Sequence, residues 1–299
     1  MRCLFKVLKN FYQYLHKYYI KLKEKIILQI VTNKQPVFGI SSNNRNPKII
    51  VSLTSYTKRF QTLDLCIKTL LNQTVKPNKI ILYIANAEKN EVPRKILELK
   101  KYGLTIKYVE NDLRPHKKYY YAMKEYSDCI IVTVDDDVLY DKHLIEKLLE
   151  THNRFPKAIV AGRARVINYD QNTFKPYNEW NLIENVERPS MNLLATGVGG
   201  VLYPPYLLNV DKLLDIDEIN KYIYVDDLWL KTIEILSGIP TVLCNPKVDR
   251  KRIVITVAQK NGLTQKNVFE NQNDMYWEKL NSEFDLLDKI NQFREEDNE

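Results

Sequence analysis

Short apolar runs alternate with helical segments over residues 49–161, and this alternation restricts the fold more than any other feature of the sequence. The runs with strand character are IIVSLT (Ile49–Thr54), KIILYIA (Lys79–Ala85), LTIKYV (Leu104–Val109), CIIVTV (Cys129–Val134) and AIVA (Ala158–Ala161). Apolar residues dominate these runs without in–out alternation, which is typical of parallel strands buried on both faces. The segments predicted to be helical are 63–71, 92–102, 116–126 and 141–154. This order predicts an α/β fold in which helices cover both faces of a mostly parallel central sheet.

Three consecutive carboxylates follow the fourth strand, and open α/β sheets bind ligands beyond the carboxyl ends of their strands. Asp135, Asp136 and Asp137 repel one another, which raises the pKa of at least one of them unless a cation lies nearby. Mg²⁺ and Mn²⁺ prefer hard oxygen ligands, and Mg²⁺ commonly combines one or two carboxylates with substrate phosphates. We therefore predict that Asp135 and Asp137 bind Mn²⁺ or Mg²⁺. The alternative is that the acids cap the helix at 141–154 or lie in a solvated turn.

A second acidic pair, Asp226-Asp227, lies in the sequence YVDDLWL at the start of a helix predicted at 228–236. A positioned carboxylate can remove the proton from a hydroxyl group that acts as a nucleophile. Two acidic sites in this order favour a catalytic site. Asp226 or Asp227 could instead be a simple N-cap, because the dipole of the helix stabilises an anion at that end.

Glycine is scarce in this chain, with 8 in 299 residues, and the densest cluster is Gly197, Gly199 and Gly200. Glycine permits a close approach of the backbone to a ligand. The cluster therefore favours a ligand-binding segment between the two acidic motifs. The same glycines could form only a tight turn or a bulge.

Two basic segments are further candidates for binding anions. RPHKK at 114–118 places lysines at the start of a helix, which suits contact with a phosphate or a nucleotide, but it could also be a solvated turn. VDRKR at 248–252 could bind a diphosphate or an anionic acceptor, or it could lie in solvent. The residues near the C-terminus that would suit sugar hydroxyl groups are Asn267, Asn271, Asn273 and Asp274.

The strand that leads into Asp135–Asp137, followed by the glycine cluster and then by Asp226-Asp227, resembles the arrangement in nucleotide-sugar glycosyltransferases with the GT-A fold. The sequence is similar to the family 2 type, to which bacterial enzymes that build surface polysaccharides and glycolipids belong. The opening segment IIVSLTSYTKR and the stretch Pro77-Asn78-Lys79-Ile80 before the second strand also resemble that family. The resemblance covers about residues 48–258.

The resemblance implies an enzyme that transfers a sugar from a nucleoside-diphosphate sugar, with a UDP-sugar as the default, to a saccharide or glycolipid acceptor. Asp135 and Asp137 would then hold the metal ion. Asp227, beside Asp226, would be the base of an inverting reaction. The residues that the resemblance places at the donor are Thr54, Ser55, Tyr56, Arg59, Asn86, Lys117, Lys118, Asp135, Asp136, Gly199 and Gly200. In some GT-A enzymes a histidine near the C-terminus is a further ligand of the metal ion. No histidine follows His152 in this chain, so that ligand is absent or replaced.

The basic charge of the chain is concentrated near the N-terminus. Residues 1–48 contain ten Lys and Arg against Glu24 alone, whereas the whole chain has a net charge of +8, so the remainder is close to neutral. A protein that follows nucleic acid along its main face would carry the excess on that face, and nucleic acid is therefore not an expected partner.

The four cysteines include no CxxC pair, which argues against a disulfide framework or a zinc site.

The apolar and aromatic positions of the N-terminal segment recur at steps of three and four, as they do on one face of a helix. These positions are Leu4, Leu8, Phe11, Leu15, Tyr18, Leu22 and Ile26. Lysines flank the stripe, so we predict that residues 1–31 form a basic amphipathic helix on the inner, cytoplasmic face of the cell membrane. The alternative is a helix that packs on the body or on a second subunit. No apolar run approaches the ~20 residues that span a bilayer, and no signal-peptide pattern is present.

The predicted division of the chain is a basic amphipathic helix at 1–32, a linker at 33–47, a GT-A catalytic domain at 48–258 and a helical or polar extension at 259–299.

Two other functions compete with glycosyl transfer. A nucleotidyltransferase would also use a nucleotide and a metal, but the glycine-rich loop after its first strand has no counterpart in residues 52–59. A non-enzymatic membrane adaptor would explain the N-terminal helix but not the two acidic sites.

Overall fold

The structure is a computed structural model that describes residues 2–185, 188–244, 249, 251–259 and 271–296, with the backbone alone at 2–10, 13–14, 16–17, 259 and 294–296. The chain divides into two units, Met1–Pro36 and Val37–Glu299. The first unit contains α1 (Arg2–Asn33). None of the described helices combines the length and the apolar character that crossing a membrane requires.

The second unit alternates strands and helices as the sequence predicts. Its strands are β1 (Ile49–Thr54), β2 (Lys79–Ala85), β3 (Leu104–Val109), β4 (Ile130–Thr133), β5 (Val138–Leu139), β6 (Ile159–Ala161), β7 (Ala164–Val166), β8 (Leu193–Ala195), β9 (Val201–Tyr203), β10 (Thr241–Leu243) and β11 (Ile253–Val254). Its helices are α2 (Phe60–Leu71), α3 (Arg94–Leu97), α4 (Lys117–Glu125), α5 (Leu144–Arg154), α6 (Val210–Leu213), α7 (Ile216–Lys221), α8 (Asp226–Leu236), α9 (Thr256–Gln259), α10 (Gln272–Phe284) and α11 (Leu286–Glu296).

Seven of the described strands form one sheet in the order β10-β6-β9-β4-β1-β2-β3. The pairs β1–β2, β2–β3, β1–β4 and β6–β10 are parallel, whereas β9 runs antiparallel to both β4 and β6. Successive residues of β1 enter different cores, since Ile49 and Val51 belong to one buried cluster and Ile50 to the other. The sheet is therefore covered on both faces, and the predicted GT-A type of α/β fold is confirmed.

Two elements differ from the sequence prediction. The continuous helix expected at 92–102 is instead the short α3 followed by a 3₁₀ segment, Glu98–Tyr102. Pro93 accounts for the late start, because proline disfavours the helical conformation of the residue before it, and Val92 is extended. The small antiparallel pairs β5–β11 and β7–β8 were not predicted, since a strand of two or three residues is too short for a recognisable periodicity.

A buried ion pair within α8 is connected by a hydrogen bond to the edge strand β10. Lys231 and Glu234 are each 1% exposed, with Lys231 Nζ 3.1 Å from Glu234 Oε2. The hydroxyl group of Thr241 in β10 donates to the same carboxylate oxygen at 2.8 Å. Removing either charge would leave the other buried without its partner, which typically destabilises a protein by ~3–5 kcal/mol. This network fixes the helix whose first residues are Asp226 and Asp227.

Candidate functional site

A pocket of about 580 Å³ lies at the carboxyl ends of β1 and β4, where the rule for open α/β sheets places a ligand. Both acidic motifs line it, together with the residues that follow β1. The basic residues of its wall are Arg59, Arg114, Lys117, Lys118, Arg163, Arg165 and Arg252. A volume of this size is suited to a small-molecule ligand, and the mixture of charges favours one that carries phosphate.

The acidic triplet continues from β4 into the pocket, where residues that follow β1 receive it. Asp136 accepts a hydrogen bond from Ser55 Oγ at 2.5 Å and forms an ion pair with Arg59. The guanidinium group of Arg59 also lies 3.0 Å from Asp137 Oδ2. Ser55 and Arg59, which were predicted to contact the donor, therefore also hold the triplet in place.

Lys118 bridges the two acidic motifs. This buried side chain lies in the first turn of α4, and its Nζ is 2.7 Å from Asp135 Oδ1 and 2.8 Å from Asp226 Oδ2. Burial by itself would lower the pKa of Lys118, but the surrounding carboxylates outweigh it and raise this pKa well above its ordinary value. The same pairing holds the pKa of Asp226 below the usual range although burial opposes it. Lys118 is thus a permanent cation between two anions.

The chain itself supplies part of the charge compensation that the sequence analysis assigned to a metal ion. Arg59 and Lys118 are both close to the triplet, so the expectation that a divalent cation alone relieves the repulsion is corrected. This compensation is incomplete. Burial, together with the charges of Asp136 and Asp135, raises the pKa of Asp137 to about 7, although Arg59 lowers it. Crowded carboxylates whose charge is only partly balanced form a site with affinity for a further cation.

The carboxylates of the triplet suit a divalent cation that is coordinated partly by them and partly by phosphate oxygens of a bound ligand. Within the described part of the chain, no group of three or more His, Cys, Asp or Glu side chains is arranged to hold a metal ion. Mg²⁺ and Mn²⁺ need no such group where one or two carboxylates act together with substrate oxygens. Asp135 is 28% exposed and lines the pocket, and the carboxylate of Asp137 lines the same wall.

Asp227 lies opposite the triplet, and its carboxylate does not cap α8. The residue before α8 is Val225, and no side chain caps this helix. Both carboxylate oxygens of Asp227 instead accept hydrogen bonds from the backbone N–H of Gly197, each at 3.1 Å. Burial, together with Asp226 and Asp135, raises the pKa of Asp227 to about 8. A pKa this close to neutral lets a carboxylate exchange a proton with a hydroxyl group more readily than an ordinary aspartate does.

Gly197 is the glycine that the site requires. A Cβ atom at this position would lie 2.6 Å from Lys118 Nζ, 3.0 Å from Asp135 Oδ1 and 3.2 Å from Asp227 Oδ1. Gly199 and Gly200, which were predicted to contact the donor, have other surroundings. A Cβ atom on Gly199 would meet Arg163 at 2.5 Å, and Gly200 has a φ of +79°. Those two glycines allow tight packing and a turn before β9, and neither lines the pocket.

The remaining predicted donor residues divide into two groups. Thr54, Tyr56 and Lys117 line the pocket, and Lys117 also forms an ion pair with Asp112. Asn86 does not line the pocket, since its side chain is exposed and donates to Glu110 Oε1 at 3.0 Å. The bounds of β2 were correct, but the residue after its end is not among those that line the pocket.

The C-terminal segment reaches the site through β11. Its antiparallel pairing with β5 joins Ile253 to Leu139, and the N–H of Ile255 donates to Asp137 O at 2.8 Å. This places Arg252 and Asn273 in the wall of the pocket. Asp274 instead accepts from the backbone N–H of Tyr177 at 2.6 Å, and Asn271, with a φ of +57°, is the residue before α10. The predicted candidates Val248, Arg250 and Asn267 lie outside the described residues.

Two arginines that the sequence analysis did not single out, Arg163 and Arg165, also line the pocket. They follow β6 directly along the chain, at its carboxyl end. The rule that identified Asp135–Asp137 would have identified them had it been applied to this shorter strand. They contribute positive charge on the β6 side of the triplet.

Comparison of the sequence with family models gives a match to glycosyl transferase family 2 over residues 50–206, more than half of the chain. The match contains the end of β1, the acidic triplet and the glycine cluster. Comparison with curated proteins finds no match.

Among solved structures, the fold is similar to that of TarS 1–349 from S. aureus in complex with UDP, at 12% identity and a TM-score of 0.48, over 66% of this chain and 57% of that chain. It is also similar to the mannosyltransferase PcManGT from Pyrobaculum calidifontis in complex with GDP-Man and Mn²⁺, at 11% identity and a TM-score of 0.42, over 76% and 64%. The chain therefore corresponds to less than two thirds of the length of either protein. Scores of this size indicate a distant similarity in fold.

A buried histidine behind the site makes stability depend on pH. His116 Nε2 donates to Tyr222 O at 3.0 Å, and Nδ1 accepts from the hydroxyl group of Tyr119 at 2.7 Å, so both hydrogen bonds suit the neutral ring. Burial lowers the pKa of His116 to about 4. The unfolded chain binds a proton below its ordinary pKa of about 6.5, whereas the folded chain does not until about pH 4.

We therefore predict that the free energy of unfolding falls as the pH is lowered from 6.5 to 4, with a contribution from His116 on the order of 3 kcal/mol. The variant His116→Gln cannot titrate and should show a shallower dependence on pH, although it is less stable than the wild type at pH 7. Urea unfolding at pH 4.5, 5.5, 6.5 and 7.5 measures both slopes. Equal slopes for the two proteins would contradict the assignment.

Proposed function

Because the chain belongs to glycosyl transferase family 2, we propose that it transfers a sugar from a nucleoside-diphosphate sugar to a hydroxyl group of a saccharide or lipid-linked acceptor. One observation carries the proposal. A carboxylate of raised pKa, Asp227, shares a pocket with the triplet Asp135–Asp137 and is held by the backbone of Gly197. This transfer requires a base and, in the same pocket, acidic residues that can hold a metal ion against the phosphates of the donor.

The reaction has one bond made and one bond broken at the anomeric carbon of the sugar. The acceptor oxygen attacks that carbon, its proton passes to Asp227, and the nucleoside diphosphate departs with the electrons of the broken bond. Displacement of this kind inverts the anomeric configuration. Burial of Asp227 beside Asp226 and Asp135 favours uptake of the proton, because an uncharged carboxyl group is easier to accommodate there.

The other residues of the pocket bind and orient the donor in this proposal. Thr54, Ser55 and Tyr56 lie at the end of β1 beside the nucleotide, and Arg59 and Lys118 keep the acidic residues at fixed positions. Asp135 and Asp137 would hold Mn²⁺ or Mg²⁺, which when bound neutralises negative charge on the departing nucleoside diphosphate. Asp226 positions Lys118 and is not itself the base.

The proposal is tested by a screen of UDP- and GDP-sugars with the full chain, with and without Mn²⁺ or Mg²⁺. We expect release of a nucleoside diphosphate that depends on the metal and is abolished by EDTA. Release of pyrophosphate would identify a nucleotidyltransferase instead. Turnover that is unaffected by EDTA would contradict the role of Asp135 and Asp137.

The base is tested by Asp227→Asn, which preserves the shape of the side chain but cannot accept the proton. We expect the rate of transfer to fall by at least about 100-fold, as for removal of a general base. The dissociation constant of UDP, measured by calorimetry, should remain within about twofold, because Asp227 faces the acceptor side of the pocket. Asp211→Asn removes one exposed carboxylate that does not line the pocket and is the matched control. A transfer rate within about threefold of the control would exclude Asp227 as the base.

The first unit of the chain supports a second part of the proposal, attachment to an anionic membrane surface at the cytoplasmic face of the cell membrane. The side chains of Phe11, Leu15, Tyr18, Leu22 and Ile26 are all at least 45% exposed. Their spacing places them on one stripe of α1. Lys21, Lys23 and Lys25 are exposed on the same helix, and lysines beside an apolar stripe favour anionic headgroups.

Flotation of the full chain with vesicles tests this attachment. We expect binding to vesicles that contain phosphatidylglycerol, weaker binding to vesicles of phosphatidylcholine alone, and weaker binding at high salt. The double variant Leu22→Gln with Ile26→Gln should lose most of the binding, since it removes two apolar contacts. Thr32→Gln places the same amide at an exposed polar position and should bind as the wild type does. Equal flotation of all three proteins would contradict the proposal.

A further inference from the structure

Three guanidinium groups line the pocket on its β6 side, those of Arg163, Arg165 and Arg252. Arg163 comes two residues after the end of β6, and Arg165 lies within β7. The order of the sheet puts β6 on one side of β4 and puts β1, with Ser55 and Arg59 after it, on the other. The three arginines are therefore separated by the acidic triplet from the residues proposed to bind the nucleotide.

Two of these arginines have no carboxylate partner among the residues that the structure describes. Arg163 Nη1 donates to Thr196 Oγ1 at 2.9 Å, and Arg165 Nη1 donates to Trp180 O at 2.5 Å. The Nε of Arg165 is buried without a hydrogen-bond partner in the same part of the chain. Burial and Arg252 lower the pKa of Arg163, and Arg165 adds to this effect against Asp249 and Tyr177. The pKa is lowered on balance, which indicates an excess of positive charge around Arg163. By contrast, Arg252 is paired with Asp249.

Arg163 and Arg165, which have only neutral partners in the described part of the chain, lie next to the proposed base. Thr196, which receives the hydrogen bond from Arg163, is followed by Gly197, whose N–H binds Asp227. Arg165 stacks over the ring of Tyr177 at 5.0 Å, and the charge of Asp227 contributes to the raised pKa of that same tyrosine. A group bound to Arg163 and Arg165 would therefore belong to the molecule whose hydroxyl group Asp227 deprotonates.

We infer that Arg163 and Arg165 form a subsite for an anionic group, a phosphate or a carboxylate, carried by the acceptor. The inference rests on the proposed function, because only glycosyl transfer gives the pocket an acceptor. Guanidinium groups bind such oxyanions through two parallel hydrogen bonds, and the Nε of Arg165 is a donor with no hydrogen-bond partner among the described residues. A neutral saccharide would leave both charges uncompensated within the pocket.

Direct binding of inorganic phosphate to the full chain tests the subsite independently of catalysis. Calorimetry is performed in EDTA, which suppresses any contribution from a metal-bound donor site. We expect Arg163→Gln and Arg165→Gln each to weaken phosphate binding by at least about tenfold, the loss that follows from removing one charge-assisted hydrogen bond. Arg163→Lys keeps the charge and should retain most of the affinity. Arg154→Gln, which removes an exposed arginine at the end of α5, should bind as the wild type does.

A second measurement separates the acceptor from the donor as the source of the anion. The dissociation constant of UDP with Mn²⁺ should be unchanged in Arg163→Gln and Arg165→Gln, and the wild type should transfer to glucose 6-phosphate faster than to glucose. Weaker UDP binding with unchanged phosphate binding would assign the arginines to the donor and overturn the inference, as would absence of phosphate binding to the wild type. If no nucleotide sugar is consumed at all, the proposed function fails, while the phosphate experiment still decides whether the anion subsite exists.

Discussion

The site depends on one buried cation, Lys118, which joins two acidic motifs that are far apart in sequence. Its ammonium group lies within 3 Å of both Asp135 and Asp226. Without that charge the carboxylates of the two motifs would face each other in a poorly solvated pocket, where their repulsion is strong. Since Lys118 lies in the first turn of α4 and Asp226 begins α8, the ion pairs also fix how these helices approach the end of β4.

Gly197 leaves the space in which these charged side chains fit. Any side chain there would occupy the space that Lys118, Asp135 and Asp227 share, and its backbone N–H binds the carboxylate of Asp227. The pair Lys231–Glu234 fixes the far part of α8 through Thr241. Packing and charge thus hold Asp227 at both ends of α8, which gives this carboxylate of raised pKa a defined position relative to the triplet.

The β1 side and the β6 side of the pocket differ in charge, and they therefore suit different bound groups. On the β1 side, Arg59 is paired with both Asp136 and Asp137, so that region carries no excess of positive charge. On the β6 side, Arg163 and Arg165 have only neutral partners among the described residues. An anion is therefore better accommodated beside the base than a neutral molecule is. The same reasoning explains why the net charge of the chain, concentrated at residues 1–48, says little about this local excess.

The sequence by itself determined the strands β1, β2, β3, β4 and β6 and the positions of the two acidic motifs, whereas β9, the antiparallel strand of the central sheet, was not predicted. The bounds of β1 and β2 follow from nearly continuous apolar runs, because these strands are buried on both faces. The bounds of β3 were also predicted, although this edge strand is mostly half-buried. The late start of α3 at Arg94 could have been predicted from Pro93. Only the tertiary structure decided that Lys118 lies between Asp135 and Asp226, that Gly197 rather than Gly199 meets the site, and that Asn86 does not line the pocket. These outcomes depend on contacts between residues that are distant along the chain, and local sequence patterns report only on neighbours within a few positions.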